Sequence, residues 1–453
     1  DVDLSDIDQI EIVKGPSSLL YANGTIGGII NVVDNTIATK DFESSKLDFG
    51  FETQSVNDGD SQHINAKDNI NGFNVTFAYK DTALGNYDVP AGAVIHEEEG
   101  DDHDDEDLGY INNSDFAVEA SKFGISKTGD WGYFGFSFDN LESLYGIPFH
   151  GDEHDDPHHP GDDPHHPDDD DDDHPVDEPE EHEDERIFST TDSETFSIKG
   201  MWNINGNLIN SMTYNYRDSD YSLTEAHAEE EGHDDHEDEE GHEEHAPTVF
   251  SYNSTEYGAI FDISNDNITQ KVVLNFVDED SSIVGEEAFM NPANNEEFTL
   301  GYYMSKDLEA FSVDFGMRLD QIDRTGSVTD EDHGDIDYFN IDDSTNSFAV
   351  SLGRELSDSL NMSIGYASVE RLPSVIELFM NGPHMATGRL ETGNPNLQSE
   401  TSNNFDITFN FESGEYYGYA SFYVNDVDNY ITLMDEDEDD HADEHDDHGH
   451  GNL

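Results

Sequence analysis

The chain has 453 residues, with 17 Lys plus Arg against 107 Asp plus Glu, which gives a formal net charge of −90 at pH 7. This charge excludes nucleic acid as a partner, because so few basic groups cannot neutralise phosphates, and it favours cationic ligands. The sequence has no cysteine, so disulfides and thiolate metal sites are excluded, and imidazole and carboxylate are the available metal ligands.

No run of about 18 apolar residues is present, so we expect no membrane-spanning helix. A membrane barrel crosses the bilayer with strands of about ten residues of alternating polarity. The lack of a long apolar run does not exclude such strands. The chain carries no signal-peptide pattern and opens on Asp1 within an acidic, strand-like stretch. We therefore expect a fragment or a processed product.

The first predicted element is a small, tightly turned β unit. Ile7–Val13 alternates apolar and polar residues, and Gly15-Pro16-Ser17-Ser18 interrupts the alternation. Leu19-Leu20-Tyr21 is compatible with a short turn of helix, Asn23-Gly24 turns the chain, and residues 26–33 form a compact apolar strand with paired glycines.

Past residue 40 the chain alternates between strand-like segments and connections. In one segment Phe73 and Phe77 interleave with Asn74 and Thr76, and this period of two is typical of a strand between two different environments. About fifteen strands are predicted, near 44–55, 62–70, 72–81, 113–127, 131–145, 189–204, 207–222, 248–264, 267–278, 294–306, 309–323, 345–355, 358–371, 401–413 and 415–433.

The connections between these strands are alternately short and long. The short ones include Asn71-Gly72 and Asn205-Gly206, pairs that suit two-residue hairpins with positive φ. The long ones are near 82–112, 146–188, 223–247, 279–293, 324–344, 372–400 and 434–453. This layout predicts an all-β protein, a transmembrane antiparallel β-barrel with its long loops outside the cell. The alternative is a soluble all-β protein with large loops.

The opening motif resembles the C-terminal half of the plug domain of TonB-dependent outer-membrane receptors. The positions that carry the resemblance run from Ile10 to Asn31 and include Gly15, Pro16, Ser17, Tyr21, Gly24, Gly27, Gly28 and Asn31. Ala22 and Thr25 replace the more usual Gly and Ala. We therefore predict two parts, the C-terminal part of a plug over 1–40 and an incomplete barrel over 41–453.

A second resemblance lies at 370–400. Glu370-Arg371-Leu372-Pro373-Ser374 with Glu377-Leu378-Phe379, and Gly393-Asn394-Pro395 with its following residues, are similar to the late barrel of this family. The insert Asn381-Gly382-Pro383-His384-Met385-Ala386-Thr387-Gly388 is similar to a subgroup associated with zinc uptake.

The resemblance implies a 22-stranded barrel that holds the plug, a TonB box near the true N-terminus, and coupling to the TonB–ExbB–ExbD complex. An odd strand count cannot close an ordinary bacterial barrel. Residues 434–453 are interpreted as another external loop, so we expect further strands beyond them. A monomer in the outer-membrane lipid of a Gram-negative cell is the expected assembly.

The histidines of this chain coincide with its acidic loops. Neutral imidazole together with carboxylate suits Zn²⁺, and also Ni²⁺ or Cu²⁺. The predicted metal-binding residues are His96, His103, His150, His154, His158, His159, His165, His166, His174, His182, His227, His233, His236, His242, His245 and His384. We expect no histidine within a strand, and we expect His384 to form an ordered site with Glu391 or Glu377.

The acidic runs by themselves favour a surface that is merely solvated, so the prediction of metal binding depends on the histidines. No catalytic constellation is present in the sequence, and we predict neither an enzyme nor a catalytic cofactor. The sequence therefore predicts a receptor that takes up a divalent transition metal, with zinc favoured. A receptor for haem, a siderophore or another metal complex is one alternative, and a non-transporting surface metal-binding protein is another.

Overall fold

The computed structural model describes residues 7–21, 24, 28–90, 93, 109–148, 186–228, 247–285, 288–329, 334–384 and 389–434, with the backbone alone at 186, 227, 228, 383, 384 and 389. Its strands are, in chain order, β1 Ile7–Val13, β2 Ile29–Asp34, β3 Lys46–Gln54, β4 Gly59–Ile70, β5 Phe73–Leu84, β6 Tyr87–Asp88, β7 Tyr110–Ile111, β8 Phe116–Gly129, β9 Gly132–Gly146, β10 Arg186–Asn203, β11 Ser211–Ala228, β12 Thr248–Asp262, β13 Thr269–Val284, β14 Ala293–Asp307, β15 Ser312–Thr329, β16 Ile336–Ser357, β17 Leu360–Arg371, β18 Asn381–His384, β19 Arg389–Thr392, β20 Glu400–Ser413 and β21 Tyr416–Asp428. A 3-10 helix spans Gly15–Leu20 and the α-helix α1 spans Val375–Phe379.

Fifteen of these strands form one antiparallel sheet in the order β3-β4-β5-β8-β9-β10-β11-β12-β13-β14-β15-β16-β17-β20-β21. The predicted all-β class and the predicted number of strands are therefore confirmed. Each strand pairs with the next one along the chain, apart from the small two-stranded sheets β1-β2, β6-β7 and β18-β19. Within the described residues β3 and β21 do not pair with each other, so this sheet is open.

The alternation of polarity along the strands confirms that the two faces of the sheet have different environments. In β5, Asn74 and Thr76 are buried, whereas Phe73 and Phe77 on the opposite face are 42% and 44% exposed. We call the face that contacts residues 15–20 and 34–42 the inner face, and the opposite one the outer face. Polar groups are therefore buried inside and aromatic groups face outward, which is the reverse of a water-soluble sheet and typical of a barrel wall in lipid.

Several predicted boundaries were wrong. β16 begins at Ile336 rather than near 345, because its polar first half continues to pair with β15. Asn71 and Gly72 have positive φ, 54° and 82°, as the hairpin prediction required. The turn after β10 is longer than predicted, since β11 begins only at Ser211 and Asn205 is hydrogen-bonded to Asn210.

Two further predictions about the connections were wrong. His63 lies within β4 and His227 within β11, so the expectation that no histidine occupies a strand fails. Residues 372–400 form more than a plain loop, since this segment contains α1, β18 and β19. Sequence alternation was too weak to mark these elements, because they are short or lie at the ends of strands.

Candidate functional site

The 3-10 helix packs against the inner face of β14 to β17. Leu19 and Leu20 are 2% and 4% exposed, and Leu19 contacts Ala349. Pro16 occupies the first turn, where its missing N–H is not needed. A Cβ on Gly316 of β15 would collide with the carbonyl oxygen of Pro16. The fifteen-stranded sheet, which we call the wall, therefore contacts this helix through small residues, which let the two backbones approach closely.

The hairpin β1-β2 flanks the helix and explains several residues of the opening motif. Asn31 donates a hydrogen bond from Nδ2 to Glu11 Oε2 at 2.9 Å across the hairpin. Gly28 has φ of +107°, and a Cβ there would lie 2.6 Å from the Val13 carbonyl oxygen. Tyr21 is half exposed and Gly27 lies outside the described residues. The glycines thus serve the turn geometry rather than a chemical step.

Residues 34–42, which we call the strap, run from β2 along the inner face of β5 and β8. Thr76 Oγ1 donates to the Thr36 carbonyl oxygen at 2.6 Å, and Ser126 Oγ donates to the Ala38 carbonyl oxygen at 2.7 Å. Thr128 Oγ1 donates to the carboxylate of Asp41 at 2.6 Å. The strap is therefore bound mainly through hydrogen bonds from the wall.

A buried ionic group lies on the inner face where β14, β15 and β16 meet. Arg318 donates from Nε to Asp320 Oδ1 at 2.7 Å and from Nη2 to Glu297 Oε1 at 2.9 Å. Thr299 and Thr345 complete the group by donating to the two oxygens of Asp320. Arg318 and Asp320 are only 3% and 2% exposed, so both charges have lost their hydration. The attraction between the opposite charges of this group compensates for that loss.

A second ionic group ties α1 to the wall at the end where the long connections emerge, which we call the long-loop end. Arg371 of β17 donates from Nη1 to Glu377 at 2.9 Å and from Nη2 to Glu400 at 3.1 Å. Ser374 and Glu377 form a capping box at the start of α1. The stem of Arg371 also packs on Gly24, where a Cβ would lie 3.1 Å from its Cγ. Arg371 therefore contacts the opening motif, the wall and α1.

The charge on Glu377 is stabilised by these partners. Burial alone would raise the pKa of Glu377, but hydrogen bonds from Arg371 and from the Ser374 amide outweigh that effect and lower its pKa below the ordinary value. Arg324 of β15 adds a further link, because its guanidinium donates to the Pro373 carbonyl oxygen just before α1. The start of the 372–400 segment is thus held by two arginines of the wall.

Behind these arginines an apolar cluster fills the inner side of the long-loop end. Phe379 and Leu378 of α1 are 0% and 1% exposed and pack with Phe289 and Met290 from the connection between β13 and β14. The Asn381 amide donates to the Phe289 carbonyl oxygen at 2.6 Å. The two connections therefore form one ordered cap over this part of the wall.

Most of the predicted metal-binding histidines lie outside the described residues. These are His96, His103, His150, His154, His158, His159, His165, His166, His174, His182, His233, His236, His242 and His245. For His227 and His384 the backbone is described, and in the β18-β19 hairpin His384 pairs with Arg389 and Glu391 pairs with Gly382. Glu377, the other suggested partner of His384, is engaged by Arg371.

His63 is the one histidine whose side chain the structure describes, and it faces inward from β4. Its Nε2 lies 3.1 Å from Asp48 Oδ1 of β3. Among the described residues, no group of three or more His, Asp or Glu side chains is arranged to hold a metal ion. In the same part of the chain, no helix is long and apolar enough to cross a membrane.

Sequence reasoning missed the buried ionic groups. Arg318 stands in the polar row of its strand, and nothing in the sequence distinguishes it from a water-facing arginine. A basic residue in a polar inner row of so acidic a chain was the available signal. Glu400 and Arg371 were included in the second motif, but the motif did not indicate that they pair.

The chain matches the family model described as "TonB dependent receptor-like, beta-barrel" over residues 19–442. Among solved structures, it is similar to the hemophore receptor HasR of Serratia marcescens, in a double mutant bound to its hemophore HasA and heme, with 12% identity and a TM-score of 0.68 over 96% of this chain and 62% of that one. It is similar to the copper transporter OprC, with 12% identity and a TM-score of 0.66 over 94% and 60% of the two chains. It is also similar to the FrpB iron transporter of Neisseria meningitidis, with 11% identity and a TM-score of 0.64 over 94% and 62%.

The inverted polarity of the sheet and the family match agree, and this chain belongs to the TonB-dependent receptor β-barrel family. It spans about three fifths of the length of the structures that it matches. At this level of identity the structural likeness establishes the fold, whereas cargo and partners need a separate argument.

Proposed function

We propose that this protein takes up a divalent transition metal across the outer membrane, with zinc as the favoured cargo. The histidine- and carboxylate-rich segments would capture the ion, and the inner wall and plug would pass it inward. Coupling to TonB–ExbB–ExbD supplies the energy in this proposal, and the protein acts as a monomer in outer-membrane lipid. No catalytic cofactor takes part, since Zn²⁺, or Ni²⁺ or Cu²⁺, is the cargo.

One observation carries the proposal. The segments between β5 and β8, between β9 and β10, and between β11 and β12 contain most of the histidines, and all three leave the sheet at the long-loop end. The short turns, such as those after β4 and β8, lie at the opposite end and contain none. The imidazoles are therefore attached to one rim of the wall, at the entrance that a captured ion would use.

The experiment is radiozinc uptake by cells that produce the full-length protein, with nickel, copper and haem as competitors. The informative variant replaces the eight histidines of 146–188 by asparagine, and the matched control replaces the six aspartates of 168–173 by asparagine. We expect the histidine variant to lose several-fold more uptake at limiting zinc than the control. If the two variants lost the same amount of zinc uptake, the histidines would have no special role and the loop would be only a solvated segment.

The nearest alternative is a receptor of the same family for haem, a siderophore or another metal complex, and the hemophore receptor and iron transporter among the similar structures are of that kind. Competition by haem but not by zinc would favour it. A non-transporting surface metal-binding protein is the other alternative. Binding without uptake, or uptake that persists in a strain lacking TonB, would favour that one.

A further inference from the structure

The inner row of β10 consists of hydroxyl side chains. A Cβ on Gly135 of β9 would lie 2.6 Å from Ile37 Cγ2 of the strap, so Gly135 is on the inner face, and Lys199 of β10 lies directly opposite it. Successive side chains of a strand alternate between its two faces, so every second residue before Lys199 also faces inward. These five residues, which we call the hydroxyl row, are Ser189, Thr191, Ser193, Thr195 and Ser197.

The hydroxyl row lies between the two segments that are attached to the inner face. In the order of the sheet, β10 follows β5 and β8, which bind the strap, and precedes β14 to β17, which bind the 3-10 helix. It is also one of the two strands joined by residues 147–185, which contain eight of the twenty-two histidines of the chain. The row therefore starts at the rim where the most histidine-rich connection is attached.

The first hydroxyl of the row is buried without a partner. Ser189 is 0% exposed, and its Oγ has no hydrogen-bond partner among the described residues. Buried hydroxyls in proteins nearly always have one. Farther along the row, Thr195 Oγ1 and Ser219 Oγ of β11 are 3.0 Å apart and bind each other. Ser189 Oγ is therefore free to hydrogen-bond to water or to a hydrated ligand.

Charged side chains of opposite sign mark the two ends of the row. Glu225 of β11 lies opposite Ser189 at the long-loop end. Arg217 of β11 lies opposite Ser197 toward the short turns, and Lys199 is the next inward residue of β10. A cation that enters from the long-loop end is therefore attracted at the start of the row and repelled beyond its last hydroxyl.

The middle of the row is close to neutral. Leu141 and Tyr221 flank Ser193, and the next inward residue of β9, Asp139, lies opposite Lys122. Zinc prefers imidazole, thiolate and carboxylate ligands, so beside these hydroxyls the ion keeps its water shell, and its waters hydrogen-bond to them. Weak contacts of this kind, repeated about every 7 Å along the strand, hold an ion loosely enough for it to move on.

We infer that the metal ion moves inward as a hydrated ion along the hydroxyl row, from Ser189 to Ser197, where Arg217 and Lys199 end the path along β10. This path rests on the proposed function, because it takes a divalent metal as the cargo and the long-loop end as the entrance. It assigns the inward movement of the ion to one strand of the fifteen.

A cysteine placed in the row tests this path. The chain has no cysteine of its own, so a single thiol can be modified without background. We would compare S193C with S281C in cells that produce the full-length protein. Ser281 of β13 is the matched control, because it lies at the same level of the inner face, through the successive pairs of Ser193 with Tyr221, Tyr252 and Ser281, and both serines are half-buried.

The measurement is the rate at which a water-soluble methanethiosulfonate modifies each thiol, with and without zinc. Zinc binds thiolate, so an ion that reaches position 193 shields that thiol. At the zinc concentration that half-saturates wild-type uptake, we expect modification of S193C to slow several-fold and that of S281C to change little. If zinc is taken up but protects S193C no better than S281C, the path is wrong and the proposed function stands. If the wild type takes up no zinc, both fail.

A second pair of variants tests the hydroxyls without adding a thiol. T191V removes one hydroxyl of the row, and T82V removes one at the same level on β5; the two threonines are 4% and 7% exposed. We expect T191V to lower the maximal rate of radiozinc uptake several-fold at an unchanged half-saturating concentration, because capture by the histidines precedes the row. T82V should change neither quantity. Equal maximal rates in the two variants, at equal amounts of protein in the membrane, would overturn the role of the hydroxyls.

Discussion

Gly316 shows how a single residue can set the distance between the 3-10 helix and the wall. A G316A variant places a methyl group against the Pro16 carbonyl oxygen, which is backbone and cannot rotate away. We expect the 3-10 helix to be displaced, at a cost of about 1–3 kcal/mol. Limited proteolysis should then cut within residues 7–42 faster than in the wild type. G418A is the matched control, because nothing lies within 4 Å of a Cβ at that glycine; equal cleavage of both variants would contradict this account.

Arg318 provides the second prediction at this scale. An R318M variant leaves Asp320 buried without its cation, and such a loss typically costs about 3–5 kcal/mol. The control is R354M, since Arg354 is exposed. Denaturant unfolding of the refolded protein measures both. If R318M unfolds at the same midpoint as the control, the ionic group is not needed for stability.

At this scale the sequence predicted which residues alternate but not which of them pair. The polar row of β15, in which Arg318 stands, is evident from the period of two in its sequence. The pairing of Arg318 with Glu297 depends on the register between β14 and β15, and turn lengths alone do not determine that register for every hairpin.

At the scale of elements, we expect the attachment of α1 to depend on pH. The folded protein lowers the pKa of Glu377 below its ordinary 4.5. The carboxylate therefore contributes stability that is complete above about pH 4.5 and is lost as the pH falls through the lowered value. We expect the protection of the 375–380 amides, measured relative to the intrinsic exchange rate at each pH, to fall at low pH while the protection of the strands is unchanged.

An E377Q variant should show the faster exchange already at pH 7, because glutamine cannot form the charge-assisted pair with Arg371. Its control is E412Q in the exposed end of β20. Exchange that remains as slow in E377Q as in the wild type at pH 7 would show that the apolar cluster, rather than Arg371, holds α1.

At the scale of elements, the number and order of the long strands were predictable, since fifteen alternating segments with alternately short and long connections allow one simple antiparallel arrangement. The cap over the long-loop end was not predictable. Phe289 and Met290 come from the connection between β13 and β14, and Leu378 and Phe379 from the connection between β17 and β20, so nothing local indicates that they pack together. Packing between distant connections is a property of the assembled wall.

For the whole molecule, metal capture by the histidine-rich segments should depend on pH. Protons compete with the metal for imidazole, so zinc binding should fall several-fold between pH 7.5 and pH 5.5, around the histidine pKa of about 6.5. Radiozinc bound to cells in the cold measures it. Calcium bound by carboxylates is the control and should change little over this range. If the binding of zinc and the binding of calcium fell in parallel, imidazole would not be the ligand that captures zinc.

The strap has a consequence for how this protein can change. Thr76 and Ser126 donate to carbonyl oxygens of the strap rather than to its side chains. Every residue type except proline offers the same peptide group, and even proline keeps the carbonyl. These two hydrogen bonds therefore do not depend on which side chains stand at 36 and 38, although all three residues of 36–38 are buried. Replacing either hydroxyl of the wall, by contrast, cannot be compensated from the other partner.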